Sequence, residues 1–232
     1  HRVVAHVAPD GAETEGVNTR VELAAAAAAL RDRVNEEHML AGVTIVDPAT
    51  TWIEPTVTLE ADAVVQPFTV LRGSTHVAAE AQVGPHAVAV DARIGRGALV
   101  GPFCYLRPGT VLEAAAKAGT FVEIKNSHVG EGAKVPHLAY MGDADIGPGA
   151  NVGAGSITAN LSHRPGVGKS RTRLGRDVKV GVDTVFVAPV TLGDDAWTAP
   201  GTVVTDDVPG GALVGFAPRQ TIKEGRGGKR ND

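Results

Sequence analysis

Aliphatic residues recur at every sixth position through most of this chain. The spacing is kept in long runs over residues 59–83, 94–124 and 174–204. The fifth position of each six-residue unit is usually small, as at Ala63, Ala98 and Ala133, and glycine often follows the aliphatic residue. This period matches neither an amphipathic helix nor an alternating strand. It predicts an all-β fold, a parallel β-helix in which hexapeptide units form short strands and corners.

A different pattern precedes the repeat. Between Val21 and about Leu40 the chain is rich in Ala, Leu, Glu and Arg, which are strong helix formers. Gly42 follows at a position where glycine commonly ends a helix. We therefore predict a helical linker within residues 1–43, the β-helix over residues 44–215 and a C-terminal tail at 216–232.

A long segment without the six-residue pattern follows Asn160. The segment "LSHRPGVGKSRTR" has no such period, which predicts an inserted loop at 161–173 that leaves the wall of the solenoid. The loop is rich in basic and histidine side chains, namely His163, Arg164, Lys169, Arg171 and Arg173. Two interpretations stay open: a solvated basic loop, and a cationic flap that meets an anionic ligand.

Composition narrows the functional classes. The formal net charge is -4 and 21% of the residues are charged, which argues against a nucleic-acid surface as the main feature. The single cysteine, Cys104, excludes an internal disulfide and fits a reducing compartment, so we expect a cytoplasmic protein. No run of apolar residues is long enough to predict a membrane span.

Several polar residues interrupt the repeat at about one coil length. Arg107 and Lys125 are 18 residues apart, and Tyr140 follows Lys125 by 15. Residues one coil apart stack on the same face of a β-helix, so we expect Arg107 above or below Lys125 with Tyr140 nearby. Two stacked cations repel each other unless they bind an anion, which predicts a phosphate or carboxylate site.

His137 lies in the same part of the sequence, within "KVPHLAYMGDADIG". A histidine near such a site is suited to general-base catalysis because its unperturbed pKa is close to neutrality. The alternative for a lone histidine is a hydrated surface residue.

A zinc site is a rival interpretation of the histidines. His128, His137 and His163 are the candidate ligands, as in a zinc lyase resembling the γ-carbonic anhydrases. Their spacings, 9 and 26, do not place all three at stacked positions, and no acidic orienting partners are evident.

Longer blocks of sequence carry a resemblance to a known family. The blocks are "EGVNTR", "GPFCYLRPGTVL", "GTFVEIKNSHVGEGAKVPHLAYMGDADIGPGANVGAGSITAN" and "VFVAPVTLGDDAWTAPGTVV". They resemble the GlmU family, bifunctional enzymes that join an N-acetylglucosamine-1-phosphate uridyltransferase to a glucosamine-1-phosphate N-acetyltransferase. The resemblance extends over about residues 16–214 and matches the second half of such enzymes. Residues 1–43 resemble the end of the uridyltransferase domain and the linker helix.

The resemblance implies a left-handed β-helix that forms a homotrimer and binds acetyl-CoA between neighbouring subunits. It implies acetyl transfer to glucosamine-1-phosphate, giving N-acetylglucosamine-1-phosphate for UDP-N-acetylglucosamine and peptidoglycan synthesis, without a metal. His137 would be the general base, and backbone N–H groups near Ala154 and Gly155 would hold the oxyanion. The other implied contacts are Arg107, Lys125 and Lys169 (the last from a neighbouring subunit) for the phosphate, Tyr140 and Asn151 for the sugar, and Ala154 and Asn160 for acetyl-CoA. Asn18 matches a Mg²⁺-ligand position of the missing uridyltransferase domain and would be idle here.

The sequence departs from the family at the rim of this site. Leu161 replaces a family tyrosine, the loop after it is longer, Val182 replaces a serine, and Arg219 is shifted from the family's C-terminal arginine. These changes leave the acceptor open to another amino-sugar 1-phosphate, such as galactosamine-1-phosphate. A catalytically silent hexapeptide scaffold is the alternative of a different class.

Overall fold

Helix α1, Arg20–Leu40, opens the regular structure of the computed structural model, which describes residues 3–7, 11, 16–162 and 168–215. A capping box fixes its start, because Thr19 Oγ1 accepts the Glu22 N–H at 3.1 Å and the Glu22 carboxylate accepts the Thr19 N–H at 2.8 Å. Gly42, with φ +97°, turns the chain away at the other end, as predicted. Asn35 Nδ2 ties the helix to the first coil by donating to the Thr51 carbonyl at 3.0 Å.

The rest of the chain winds through short parallel strands around three faces. Face A consists of β1 Thr44–Ile45, β4 Val64–Val65, β7 Gln82–Val83, β10 Leu99–Val100, the first parts of β13 Lys117–Lys125 and β15 Lys134–Gly142, β21 Trp197–Thr198 and β23 Leu213–Val214. Face B consists of β2 Trp52–Ile53, β5 Val70–Arg72, β8 Val88–Val90, β11 Tyr105–Leu106, the last parts of β13 and β15, β17 Ile157–Ala159, β19 Val185–Val187 and β22 Val203–Val204. Face C consists of β3 Thr58–Leu59, β6 His76–Val77, β9 Arg93–Ile94, β12 Val111–Leu112, β14 His128–Val129, β16 Ala144–Ile146, β18 Thr172–Leu174 and β20 Val190–Leu192. A short 3-10 helix, Pro48–Thr50, lies in the first coil.

The core is the stack of inward-facing aliphatic residues that the six-residue period predicts. Val65, Leu71, Val77 and Val83 are fully buried, and the small residues of the units, such as Ala63, are buried beside them. Full burial of such a branched side chain stabilises the fold by about 1.5–3 kcal/mol. The predicted left-handed parallel β-helix with a preceding helix is thereby confirmed.

Two corners border face B and position the candidate site. At the AB corner, between faces A and B, Phe68, His86, Phe103 and Phe121 lie in left-handed backbone conformations and their rings stack at centroid distances of 4.6, 4.8 and 5.4 Å. Leu138 occupies the same corner one coil further on, with φ +41°. The BC corner joins faces B and C.

The inserted loop leaves the solenoid at the BC corner after Asn160. Leu161 and Lys169 form an antiparallel bridge, and the chain re-enters face C at Thr172. Arg173, predicted in the loop, instead lies in β18, in register with Asp145 of β16. His163, Arg164, Arg219 and the tail at 216–232 lie outside the described residues. Among the residues that the structure does describe, no helix has the length and apolar character needed to cross a membrane.

Candidate active site

The predicted site residues divide between the two edges of face B. In the pairing of β13 with β15, Thr120 is in register with His137 at the AB edge, and Lys125 is in register with Gly142 at the BC edge. His137 therefore lies five register positions from Gly142, the residue paired with Lys125, and the corner at Leu138 lies between them. The sequence-based expectation that His137 lies beside the two cations is wrong within one chain.

The histidine corner is the stack of Thr120, His137, Ala154 and Val182 at the AB edge. Thr120 is paired with His137, and the stack continues because the Gly155 N–H donates to the Leu138 carbonyl at 2.9 Å. The Asp183 N–H donates to the Ala154 carbonyl at 2.7 Å, which brings Val182 above Ala154. The register thus brings the predicted base together with Ala154, which the resemblance implies near acetyl-CoA, and with Val182, one of the departures from the family.

The imidazole of His137 is exposed, and within the described part of the chain no hydrogen bond or ion pair engages it. Asn151, three positions before Ala154, points outward on face A, where it is in register with Lys134 and Lys179. It is therefore near the histidine corner and away from Tyr140. His137 has the open nitrogen atoms that a base needs for an incoming proton.

Backbone donors near Ala154 differ from the expectation in one respect. The Gly155 N–H is already used by the Leu138 carbonyl and is not available to an oxyanion. The Ala154 N–H makes no backbone hydrogen bond to any residue that the structure describes. Of the two N–H groups that the resemblance implied, that of Ala154 therefore remains as the candidate oxyanion donor.

The cation corner is defined by Arg107, Lys125, Asp143, Asn160 and Lys169 at the BC edge. Arg107 follows the paired residues Leu106 and Ile124, so it stacks on Lys125 as the 18-residue spacing predicts. Its guanidinium donates to Glu123 Oε1 at 2.8 Å, and this hydrogen bond raises the pKa of Arg107. Arg107 is thus a cation that Glu123 holds in place.

Lys125 experiences the positive charge of its neighbours. Its pKa is lowered, first by a close approach to the Lys169 ammonium group and then by the charge of Arg107. Lys169 therefore lies beside Lys125 of its own chain, whereas the resemblance implied that it reaches in from a neighbouring subunit. Arg107, Lys125 and Lys169 thus form a cluster of positive charge of the kind that binds a phosphate.

The carboxylate of Asp143 lies beneath these ammonium groups and is 7% exposed. Asn126 Nδ2 donates to its Oδ1 at 2.5 Å, and Asn160 Nδ2 donates to its Oδ2. Burial raises the pKa of Asp143, but these two hydrogen bonds and the charges of Lys169 and Lys125 outweigh it and lower the pKa. The side chain of Asn160, implied at the acetyl-CoA end, thus belongs to the cation corner.

Tyr140 lies between the two corners on face B, in register with Glu123. Its hydroxyl leans over Gly142, so that a Cβ atom at Gly142 would collide with it. Tyr140 also contributes to the raised pKa of Arg107. The phenol therefore faces the cation corner, where it can orient a sugar attached to the bound phosphate.

Sequence reasoning missed Asn126, Asp143 and Asp145, which contact predicted residues. Asn126, Asp143 and Asn160 are spaced by 17 residues each, one coil in this region, and that equal spacing was the available signal. Arg171 Nε donates to Asp145 Oδ2 at 2.9 Å, and Arg173 lies 3.7 Å from the same oxygen. Of the basic residues predicted for the flap, Lys169 is the one that the described structure turns toward Lys125.

The candidate zinc ligands are distributed over different parts of the solenoid. His128 lies on face C, where its Nε2 is 2.8 Å from Glu113 Oε1, and His137 lies at the AB corner. No cluster of three His, Cys, Asp or Glu side chains suited to a metal occurs among the described residues. Asn18 is exposed, and its N–H donates to Glu22 Oε2 at 2.6 Å.

Cys104 is not a candidate nucleophile. It is 2% exposed, and burial raises the pKa of its thiol to about 12, so the thiolate is scarce at neutral pH.

Comparison with known proteins places the chain among close relatives. No family model matches it. "Bifunctional protein GlmU" of Thermobifida fusca is 51% identical over 240 residues, which covers 96% of this chain and 49% of that protein. The protein of the same name from Streptomyces griseus is 50% identical over 241 residues, covering 97% and 49%. This chain therefore spans about half the length of the curated relatives that it matches. Among solved structures, LpxA from Acinetobacter baumannii matches with a TM-score of 0.49 at 14% identity, over 75% of this chain and 71% of that one.

Proposed function

This chain belongs to the GlmU family, and from that premise we propose that it is an acetyl-CoA-dependent N-acetyltransferase. The proposed acceptor is glucosamine-1-phosphate and the product N-acetylglucosamine-1-phosphate, a precursor of UDP-N-acetylglucosamine and of peptidoglycan. The observation that carries the proposal is the cation corner, where Arg107 stacks on Lys125 and Lys169 lies beside Lys125. Such a site has its charge balanced when it binds the phosphate of the acceptor.

The proposed enzyme is a homotrimer with each active site between two subunits. One chain carries His137 at one edge of face B and Lys125 at the other, five register positions apart. A cyclic assembly brings the histidine corner of one subunit against the cation corner of the next. Each site then contains His137, Ala154 and Asn151 from one chain and Arg107, Lys125, Tyr140 and Lys169 from its neighbour.

In the proposed reaction the free amine of the sugar attacks the thioester carbonyl of acetyl-CoA. His137 removes the amine proton as the C–N bond forms. It returns this proton to the sulfur when the C–S bond breaks, so that CoA leaves as the thiol. The Ala154 N–H donates to the oxyanion of the tetrahedral intermediate. The cations hold the acceptor by its phosphate, so that the amine approaches the thioester in a fixed orientation.

The proposal has a second candidate for the acceptor sugar. Leu161 is 52% exposed and forms a bridge with Lys169, so the residue that departs from the family adjoins the phosphate site directly. Val182, another departure, is 47% exposed above Ala154. These departures leave the acceptor open, and galactosamine-1-phosphate is the second candidate.

The test is a thiol-release assay on the purified chain with acetyl-CoA and a panel of amino-sugar 1-phosphates. We expect CoA release with glucosamine-1-phosphate or galactosamine-1-phosphate, and none with the unphosphorylated sugars at the same concentration. Absence of release with every acceptor would support the silent scaffold. One tightly bound zinc ion per subunit would instead support the lyase alternative.

The lowered pKa of Lys125 predicts a distinctive pH dependence. Phosphate binding requires the protonated amine, so kcat/KM for the acceptor should fall as pH rises through this pKa, below the range of an ordinary lysine. Lys125→Arg should remove this alkaline decline, because a guanidinium group stays charged. The acceptor amine titrates equally with both proteins, so the difference between their kcat/KM profiles isolates Lys125. Identical profiles would contradict the prediction.

A further inference from the structure

Asp143 contacts both ends of the inserted loop. Before the loop, the Asn160 side chain donates to the Asp143 carboxylate. After the loop, the Thr172 N–H donates to the main-chain carbonyl of Asp143 at 3.1 Å. The residue is almost fully buried at the BC corner with φ +50°, so its own backbone is held by the solenoid.

Lys169 depends on the same contacts for its position. The Ser170 N–H donates to the Asn160 carbonyl at 2.9 Å, and Lys169 itself forms a bridge with Leu161. The backbone on both sides of Lys169 is therefore tied to the segment that Asp143 fixes. Arg171, two residues after Lys169, adds an anchor on the C-terminal side, because its guanidinium donates to Asp145 Oδ2 at 2.9 Å and to the Asn126 carbonyl at 3.1 Å. On the N-terminal side, the anchor is the hydrogen bond from Asn160 to Asp143.

We propose that Asp143 is a positioning residue which latches the loop and thereby holds Lys169 against Lys125 for binding of the acceptor phosphate. The inference rests on the proposed function, from which it takes the acceptor phosphate as the ligand. It adds an account of how Lys169 is held in position. Asp143 itself is too deeply buried to contact the acceptor directly.

A simple charge effect and the latch predict opposite changes in phosphate binding when the charge of Asp143 is removed. The direction of that change therefore tests the inference. The Asp143 carboxylate partly neutralises Lys125 and Lys169, so removing its charge should strengthen phosphate binding if the ammonium groups keep their positions. If Asp143 acts as a latch, removing the charge also releases Asn160 and displaces Lys169. Phosphate binding should then weaken.

Asp143→Asn is the primary variant, because asparagine has the same shape and tolerates a left-handed φ. Its amide faces two amide donors, from Asn126 and Asn160, and can accept from only one of them. We expect the KM for the acceptor to rise about 10-fold, the effect of losing one charge-assisted contact. The KM for acetyl-CoA and kcat should stay within about twofold.

Two matched variants separate positioning from general destabilisation. The exchange Asp143→Asn with Asn160→Asp restores a donor–acceptor pair and the negative charge, so it should recover most of the acceptor KM. Asp91→Asn changes the same corner in an earlier coil, where Asp91 has φ +47° and accepts from Ser74, and it should leave both KM values unchanged.

The inference is overturned if Asp143→Asn lowers the acceptor KM or leaves it unchanged, if both KM values rise equally, or if the exchanged pair folds without recovery. Should Asp143→Asn fail to fold, Asn160→Ala is measured with the same expected and contrary results. Amide hydrogen exchange at Ser170 and Thr172 provides a readout without substrate, and the latch predicts faster exchange in Asp143→Asn than in the unaltered chain. Unchanged exchange would overturn the latch even if acetyl transfer is absent, and absent transfer alone would overturn only the proposed function.

Discussion

Replacement of His137 by alanine is expected to lower kcat by roughly 10²–10⁴, the usual contribution of a general base. The side chain is exposed at the AB corner and makes no hydrogen bond with the described residues, so its loss removes no structural contact. The unfolding temperature should therefore stay the same, and the KM values should change little. Steady-state kinetics together with a thermal unfolding curve measures both effects.

His128→Ala is the matched control for this variant. His128 lies on face C, where it pairs with Glu113 and belongs to neither the histidine corner nor the cation corner, so it should keep full activity. Near-full activity of His137→Ala would show that another group removes the proton. A loss of the folded state in His137→Ala would show that the histidine has a structural role.

Replacement of Lys125 by alanine is expected to raise the KM for the sugar phosphate by about 10- to 100-fold, the effect of removing a charged hydrogen-bond partner. The KM for acetyl-CoA should change much less, because the proposed ligand of Lys125 is the acceptor phosphate, whereas the residue proposed to contact acetyl-CoA is Ala154, at the other corner. Initial rates with each substrate varied in turn give both constants.

Lys117→Ala is the control for Lys125→Ala, since Lys117 is the first residue of the same strand and lies on face A. It removes an equal charge from the chain and should leave the acceptor KM unchanged. An equal rise of both KM values in Lys125→Ala would argue against phosphate binding at this residue.

The fold was predictable because its core repeats. Each aliphatic residue of the six-residue series meets the same environment in every coil, so the pattern alone indicates which side chains point inward, as with Val65 and Leu71. The same regularity predicted that Arg107 stacks on Lys125. Stacking at one coil length is a property of the solenoid and needs no knowledge of the surroundings.

The error over His137 has a physical cause in the same geometry. His137 follows Lys125 by 12 residues, which is two sides of a triangular coil and not a full turn, so the two lie at different corners. Proximity in sequence was taken for proximity in space. The position of Lys169 was not predictable, because the inserted loop has no repeat and its start is held by the side-chain hydrogen bond from Asn160 to Asp143.

The central claim is that His137 of one subunit and Lys125 of the next form each active site. Its most direct test is to co-express His137→Ala and Lys125→Ala chains with different tags and to purify assemblies that contain both. In any mixed cyclic trimer, one of the three interfaces joins an intact His137 to an intact Lys125, so we predict about one third of the unaltered kcat/KM for the acceptor. Activity no higher than that of the two single variants would contradict the claim and place both residues in a site within one chain.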